Sequence, residues 1–316
     1  MGNTMIYEQE VALMTVSHIP LTADGPTFSR LVLGLGNLAE WQLNDAQLLG
    51  LLQVAFDLGI TTLDHADIYG DHRCEMLLGR ALALEPTLRQ RLQFVGKCGI
   101  KPASPNRPEN RVKHYDTSKV HILASVESSL RDLGTDYLDL LLLHRPDPLM
   151  NPDEVTEAFS DLRQAGKVRH FGVSNFTPWQ VHLLGSRLPF PLVTNQVELS
   201  PLALDVLHDG TLDQCMRLGM TPMVWSPLAG GRLFTSDEPP ARRVRQALRD
   251  IGEELGTASL DQVALAWLFT HPANVLPVLG SNNLEHLRSA AAAASMRLTR
   301  QQWFQIWQAS AGRPVP

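Results

Sequence analysis

The feature that most narrows what this chain can fold into is an alternation. From Arg30 onward, short apolar runs are followed eight times by longer amphipathic segments. A short continuous apolar run suits a parallel strand buried on both faces, and helical spacing in the next segment supplies its cover. Leu31–Leu33, Ile60–Leu63, Gln93–Val95, Tyr137–Leu143, Val168–Val173, Leu192–Val197, Thr221–Trp225 and Val275–Leu279 read as the strands. The first helix is expected after a cap at Asn44 or Asp45, with Leu48, Leu49, Leu52, Ala55 and Phe56 on its apolar face. Further helices are predicted over Glu75–Ala83, Ser118–Leu133, Pro152–Ala165, from Thr177 onward, Leu212–Leu218, Arg242–Leu255 with Leu260–Thr270, and Leu284–Ala293. Eight strand and helix units in about 265 residues match a single-domain α/β fold, the (β/α)8 TIM barrel, with residues 1–29 as an N-terminal extension or hairpin.

A doubly wound sheet is the rival. Gly34-Leu35-Gly36-Asn37-Leu38-Ala39 follows a strand and matches the G-x-G-x-x-A string of dinucleotide folds. That fingerprint needs its helix to open within the glycines, whereas Trp41, Gln42 and the cap at Asn44 delay it, so the string reads as a barrel loop. The stretches Lys101–Thr117 and Leu228–Arg242 read as insertions on the site face.

Composition removes several classes of function. The net charge is -6, from 27 basic and 33 acidic residues without a basic run, which gives no footprint for nucleic acid. Cys74, Cys98 and Cys215 are far apart and lack any CxxC spacing, so neither disulfides nor zinc is expected and a reducing cytoplasm fits. The stretch through Glu8 and Glu10 has no signal-peptide pattern, and no apolar run approaches about 18 residues, so neither export nor membrane insertion is expected.

In a barrel of this kind the loops after the strands build the site. Asp64 closes the second strand, Lys97 the third and His144 the fourth, with Tyr69 in the loop after Asp64. A carboxylate and an ammonium at neighbouring strand ends would pair, and the ammonium would lower the pKa of a nearby phenol toward working pH. Such a tyrosine can act as general acid, and a histidine on the next strand can donate to the same oxygen, so the set suits polarising a carbonyl. A lysine after Phe94-Val95-Gly96 also fits a Schiff-base aldolase, although that chemistry does not need Asp64 and Tyr69. A metal hydrolase could recruit Asp64, His65 and His144, but no further ligand cluster follows and no metal is expected.

Asp64-x-Ala66-x-x-Tyr69-Gly70, Lys97, His144, Gly172-Val173-Ser174-Asn175-Phe176, Asn195-Gln196-Val197-Glu198, Trp225-Ser226-Pro227-Leu228 and Gly280-Ser281 occur in one order over about residues 28 to 295. In that order they resemble the aldo-keto reductases, notably bacterial members with short loops. The resemblance implies reduction of aldehydes or ketones by NADPH, with NADH as the other candidate, and Asp64, Tyr69, Lys97 and His144 as catalytic residues. It implies that Ser174, Asn175 and Gln196 hold the nicotinamide amide and that Trp225 stacks on the ring. Ser226, Leu228, Gly230, Gly231 and Arg232 would line the pyrophosphate, and Gly280, Ser281, His286 and Arg288 would take the adenosine phosphate beside a helix N-terminus. Asn37 and Trp41 would border the substrate pocket, Trp41 alternatively stapling the first helix. His65 stands where the family commonly has Thr, and His286 where many members have Arg. A small carbonyl compound is the expected partner and a monomer the expected state. Regulatory proteins on the same scaffold, such as the beta subunits of voltage-gated potassium channels, are the alternative class. The loops expected to select substrate carry His114, Tyr115 and His208.

Overall fold

A computed structural model describes residues 15–257 and 259–316, so residues 1–14, including Glu8 and Glu10, lie outside the described residues. Twelve strands are formed among the described residues: β1 (His18–Pro20), β2 (Thr27–Ser29), β3 (Val32–Gly34), β4 (Thr62–Asp64), β5 (Gln93–Cys98), β6 (Ile100–Lys101), β7 (His114–Tyr115), β8 (Leu138–Leu143), β9 (Val168–Ser174), β10 (Asn195–Glu198), β11 (Met223–Trp225) and β12 (Leu276–Leu279). Eight of them, β3-β4-β5-β8-β9-β10-β11-β12, close into a barrel as β12 pairs with β3. All of those pairings are parallel. The chain is therefore a single-domain (β/α)8 barrel.

Period-2 alternation sorts each strand between two cores. On β8, Leu140 and Leu142 enter the barrel with Val32, Val95, Met223 and Leu276, while Leu141 and Leu143 face the helices. Both faces are dry, which is why the strand reads as a leucine run broken only by Asp139 near its N-terminal end. The antiparallel hairpin β1–β2 plugs the N-terminal end of the barrel. Leu21 and Phe28 are fully buried among the interior residues. Thr221 donates to the backbone carbonyls of Leu21 and Pro20, which fixes the plug against the seventh barrel strand.

Several boundaries moved for local reasons. Pro222 has no N–H to give a ladder, so the seventh barrel strand begins at Met223 rather than Thr221. The helix expected from Arg242 starts at Pro239, a residue suited to a first turn. The first helix, Asp45–Asp57, opens on a capping box between Asn44 and Gln47, well after the glycines at 34 and 36. The insertion at Lys101–Thr117 carries β6 and β7, a two-residue antiparallel pair too short to leave a periodic signal. A helix at Arg300–Ala311 was not expected, although Thr299 and Gln302 form a capping box at its start.

The N-terminal rim is held by charge. Arg89 lies between the rings of Phe94 and Tyr137, 4.0 and 4.2 Å from their centroids. It donates to the carbonyls of Leu92 and Tyr137 at 2.9 and 2.7 Å. Asp139 accepts the Phe94 amide at 2.9 Å and Arg169 at 3.1 Å, which ties β5, β8 and β9 together at this end. Removing the guanidinium leaves half-buried carbonyls and a carboxylate short of donors. Arg89→Ala is therefore expected to cost about 2–4 kcal/mol in denaturant unfolding while leaving turnover at the opposite rim unchanged.

Candidate active site

The alternation that fills the barrel with Val95 also turns Lys97 inward on β5, and Asp64 inward at the end of β4. The Lys97 side chain is fully buried, and its ammonium has three acceptors: Asp64 Oδ1 at 2.5 Å, the His65 carbonyl at 2.9 Å and Tyr69 Oη at 3.1 Å. Three N–H groups meet three oxygens. Burial pushes the Lys97 pKa down, but the Asp64 carboxylate and the Tyr69 oxygen outweigh it and hold it above the usual lysine value. The group remains an ammonium, which disfavours nucleophilic attack by a free amine.

Tyr69 reaches Lys97 because the chain turns sharply after β4. Gly70, Asp71 and His72 all adopt positive φ, of 58°, 55° and 65°. A Cβ on Gly70 would come within 2.6 Å of both Ala39 Cβ and Cys74 Sγ, so only glycine passes there. Asp71 accepts Ser104 Oγ at 2.6 Å and also the Asn106 side chain, which binds the turn to the β6–β7 insertion.

The phenol departs from the expectation. Burial raises the Tyr69 pKa, and the lowering by Lys97 does not overcome it. Withdrawal from water penalises tyrosinate more than one shared ammonium relieves it. Tyr69 is thus firmly a proton holder in this state. His144 follows β8, its ring edge-on to Tyr69 at 5.6 Å between centroids. Burial, with Lys97, Arg145 and Lys113 adding to it, drives its pKa well below the usual value, so the ring is neutral; its Nδ1 is buried without a partner.

A groove of about 1030 Å³ leads away from Tyr69 across the C-terminal ends of the strands. Gly34, Gly36, Asn37, Asp64, Tyr69, Gln196, Trp225, Ser226, Leu228, Gly230, Gly231, Gly280, Ser281 and His286 line it among others. Ser174 and Asn175 join it indirectly: Trp225 Nε1 donates to Asn175 Oδ1 at 2.9 Å, and Ser174 Oγ to the Gln196 carbonyl at 2.9 Å. Gln196 Nε2 in turn donates to Asp64 Oδ2 at 2.7 Å. Asn175, Ser226 and Ala229 carry positive φ of 61°, 50° and 55°, so backbone strain gathers at this face.

Other expected residues lie apart from the groove. Arg232 donates to the Ala229 carbonyl at 3.2 Å, and Arg288 pairs with Glu285 at 2.5 Å. Trp41 packs on the helix-side core, and His208 packs edge-on against Trp307. Reading the sequence also missed residues that do line it, Phe234, Ser259 and Asp261 among them. The polar start of the helix Leu260–Thr270 was the available signal for Ser259 and Asp261. Arg145 was missed as well; its guanidinium lies 5.4 Å from the Trp225 ring centroid. Gly34 closes β3 and Gly36 lies in the loop after it, and both form part of the groove wall: a Cβ on Gly36 would sit 3.7 Å from the Tyr69 ring.

Beneath the turn, Asp67 Oδ2 accepts Ser125 Oγ at 2.7 Å while Oδ1 is buried without a partner. Burial raises its pKa from 3.8 to about 7. The fold therefore favours the protonated carboxyl; its contribution is complete below about pH 4 and is lost as pH rises through about 7. Asp67→Asn keeps the bond to Ser125 and cannot ionise. Its unfolding free energy relative to wild type is expected to rise by about 2–3 kcal/mol between pH 5 and pH 8, as read by urea titration at the two pH values.

Comparison with known proteins agrees with this geometry. Residues 30–311 match the model of the aldo/keto reductase family. The chain is 53% identical over 294 residues to the uncharacterized oxidoreductase YcsN of Bacillus subtilis, covering 93% of this chain and 98% of that protein. It is 43% identical over 299 residues to a 6-dehydroglucose reductase of Agrobacterium fabrum, covering 93% and 98%. The crystal structure of the thermostable aldo-keto reductase Tm1743 with the inhibitor epalrestat superposes with a TM-score of 0.78 at 28% identity, covering 93% of this chain and 99% of that one. The chain belongs to the aldo/keto reductase family and is an oxidoreductase.

Proposed function

We propose that the protein reduces an aldehyde or ketone to the alcohol with NADPH, with Tyr69 as the proton donor. The observation that carries this reading is the contact of Tyr69 Oη with Lys97 Nζ at 3.1 Å, with the neutral His144 ring edge-on to the same phenol. A carbonyl oxygen set between Tyr69 and His144 meets two donors where negative charge develops. As that charge grows, the phenol proton moves to the substrate and the Lys97 ammonium stabilises the tyrosinate left behind. The raised phenol pKa keeps the proton in place until then.

The groove suits a dinucleotide in size and lining. Trp225 offers an aromatic face next to Asp64 and Gln196, the glycines at 230 and 231 allow close backbone approach, and Ser281 and His286 stand before the helix Leu284–Ala293. Asn175, Ser174 and Gln196 are the groups to receive the nicotinamide amide. The bound cofactor supplies the hydride. Arg288, released from Glu285, would favour a 2'-phosphate and hence NADPH over NADH. Likeness to the Agrobacterium enzyme makes a sugar oxidised to an aldehyde the first substrate to try.

NADPH consumption with a reactive test aldehyde measures the activity, and Tyr69→Phe is expected to lower kcat by about 10²- to 10⁴-fold with cofactor affinity unchanged. Full activity in that variant would overturn the mechanism. Quenching of Trp225 fluorescence by NADPH and NADH measures the preference. Arg288→Ala is expected to weaken NADPH binding by about 5- to 10-fold and NADH by less than twofold, and equal effects on both would remove Arg288 from that role.

A further inference from the structure

Two residues outside the groove hold Lys97 from behind. The strand period that points Asp64 into the barrel points His65 outward, toward the helices, where it is fully buried. There His65 Nδ1 meets Glu75 Oε1 at 2.7 Å, and Glu75 Oε2 accepts Ser129 Oγ at 2.9 Å. Glu75 lies in the first turn of the helix Cys74–Leu82, and Ser129 lies on the helix Lys119–Leu133. Both are buried, at 5% and 4% exposure, so no bulk water can replace a lost partner. Two helices thereby grip the residue whose backbone carbonyl receives the Lys97 ammonium at 2.9 Å.

The ring also rests on the strand that carries Lys97. A Cβ on Gly96 would come within 3.3 Å of His65 Cε1 and 2.9 Å of Leu138 Cδ1, so glycine at this position makes room for the imidazole. Phe94 holds the ring edge-on at 5.7 Å. The His65 amide donates to the Val95 carbonyl at 2.9 Å and the Asp67 amide to the Lys97 carbonyl at 3.2 Å, so the same short segment is pinned to β5 on both sides. Buried polar side chains of this kind need a reason, since each costs desolvation that an apolar residue would avoid. Here the reason is geometric.

We infer that Glu75 and Ser129 are positioning residues for the carbonyl chemistry, acting through the His65 ring to keep the His65 carbonyl under the Lys97 ammonium. This rests on the reading of Lys97 and Tyr69 given above. If Glu75 is removed, the ring loses its anchor, the carbonyl drifts, and the ammonium re-centres away from Tyr69. A misplacement of about 1 Å at such a group costs up to about 100-fold in rate. The charged or titrating groups bearing on Glu75 are His65, Asp67, His72, Cys74 and Cys98.

The test compares the full-length wild type with Glu75→Ala, Glu75→Gln, Ser129→Ala and, as a control for lost packing on the same helix, Leu78→Ala. Glu75→Ala is expected to lower kcat by about 10- to 100-fold with the KM for NADPH within about twofold, and to move the basic limb of the pH profile. Glu75→Gln, whose amide oxygen still accepts from His65 while its NH2 can donate to the Ser129 hydroxyl, should recover most of the rate, and Leu78→Ala should change neither. A second readout needs no turnover: the slowly exchanging ¹H–¹⁵N signal of the buried Lys97 ammonium, identified by its loss in Lys97→Met, should shift or broaden in Glu75→Ala and Ser129→Ala only. If Glu75→Ala does not fold, Ser129→Ala carries the comparison. Variants that match wild type, or match Leu78→Ala, in both readouts overturn the positioning role. A wild type that reduces no carbonyl overturns the functional reading instead, and the ammonium signal then decides the positioning role alone.

Discussion

Everything at the C-terminal face of this barrel is arranged around one buried cation. A lysine ammonium with no exposure to water is costly unless each of its protons finds an oxygen. Lys97 finds three, from a carboxylate, a backbone carbonyl and a phenol. Removing a partner from such a buried pair typically costs about 3–5 kcal/mol, so the arrangement is held in place by the penalty for breaking it. The phenol is the only one of the three that also faces the groove with a proton to give.

The barrel divides its polar work between its two ends. At the N-terminal end Arg89, Asp139 and Arg169 tie strands together and the hairpin plug excludes water, which serves stability. At the C-terminal end the strain is concentrated: Asp71, His72, Asn175, Ser226 and Ala229 hold positive φ just beyond strand ends. Backbone strain of this kind persists where the surrounding packing over-determines it, and here it gathers in the loops beside the groove wall formed by Tyr69, Trp225 and Ser226. The layer of His65, Glu75 and Ser129 extends the same organisation into the space between strands and helices.

Much of this was legible in the chain because parallel barrel strands must be apolar on both faces. The leucine run Leu138–Leu143 left no other reading, and the capping residues Asn44, Ser118 and Thr177 marked helix starts closely. Asp64, Lys97 and His144 stood out because each ends an apolar run, and Tyr69 because it follows Asp64 by five residues. The β6–β7 pair escaped because two-residue strands carry no period, and the C-terminal helix was passed over despite its capping box. The distant part of the groove escaped for a different cause: Ser259 and Asp261 are ordinary helix-start residues until the fold brings them to the wall of the same groove as Ser281.

The sequence by itself determined the number of barrel strands, the closed barrel they demand and the rim where chemistry-bearing residues collect, because hydrophobic period and strand-end position are local properties of the chain. The tertiary structure decided the rest. Whether Lys97 lowers or fails to lower the Tyr69 pKa depends on how far burial competes with a shared charge, and burial wins. That Lys97 reaches both Asp64 and Tyr69, that Gln196 holds Asp64, and that Glu75 joins Ser129 behind His65 all depend on contacts between residues distant in sequence. Pairings of that kind leave no periodic trace, since only the closed barrel brings their partners within reach.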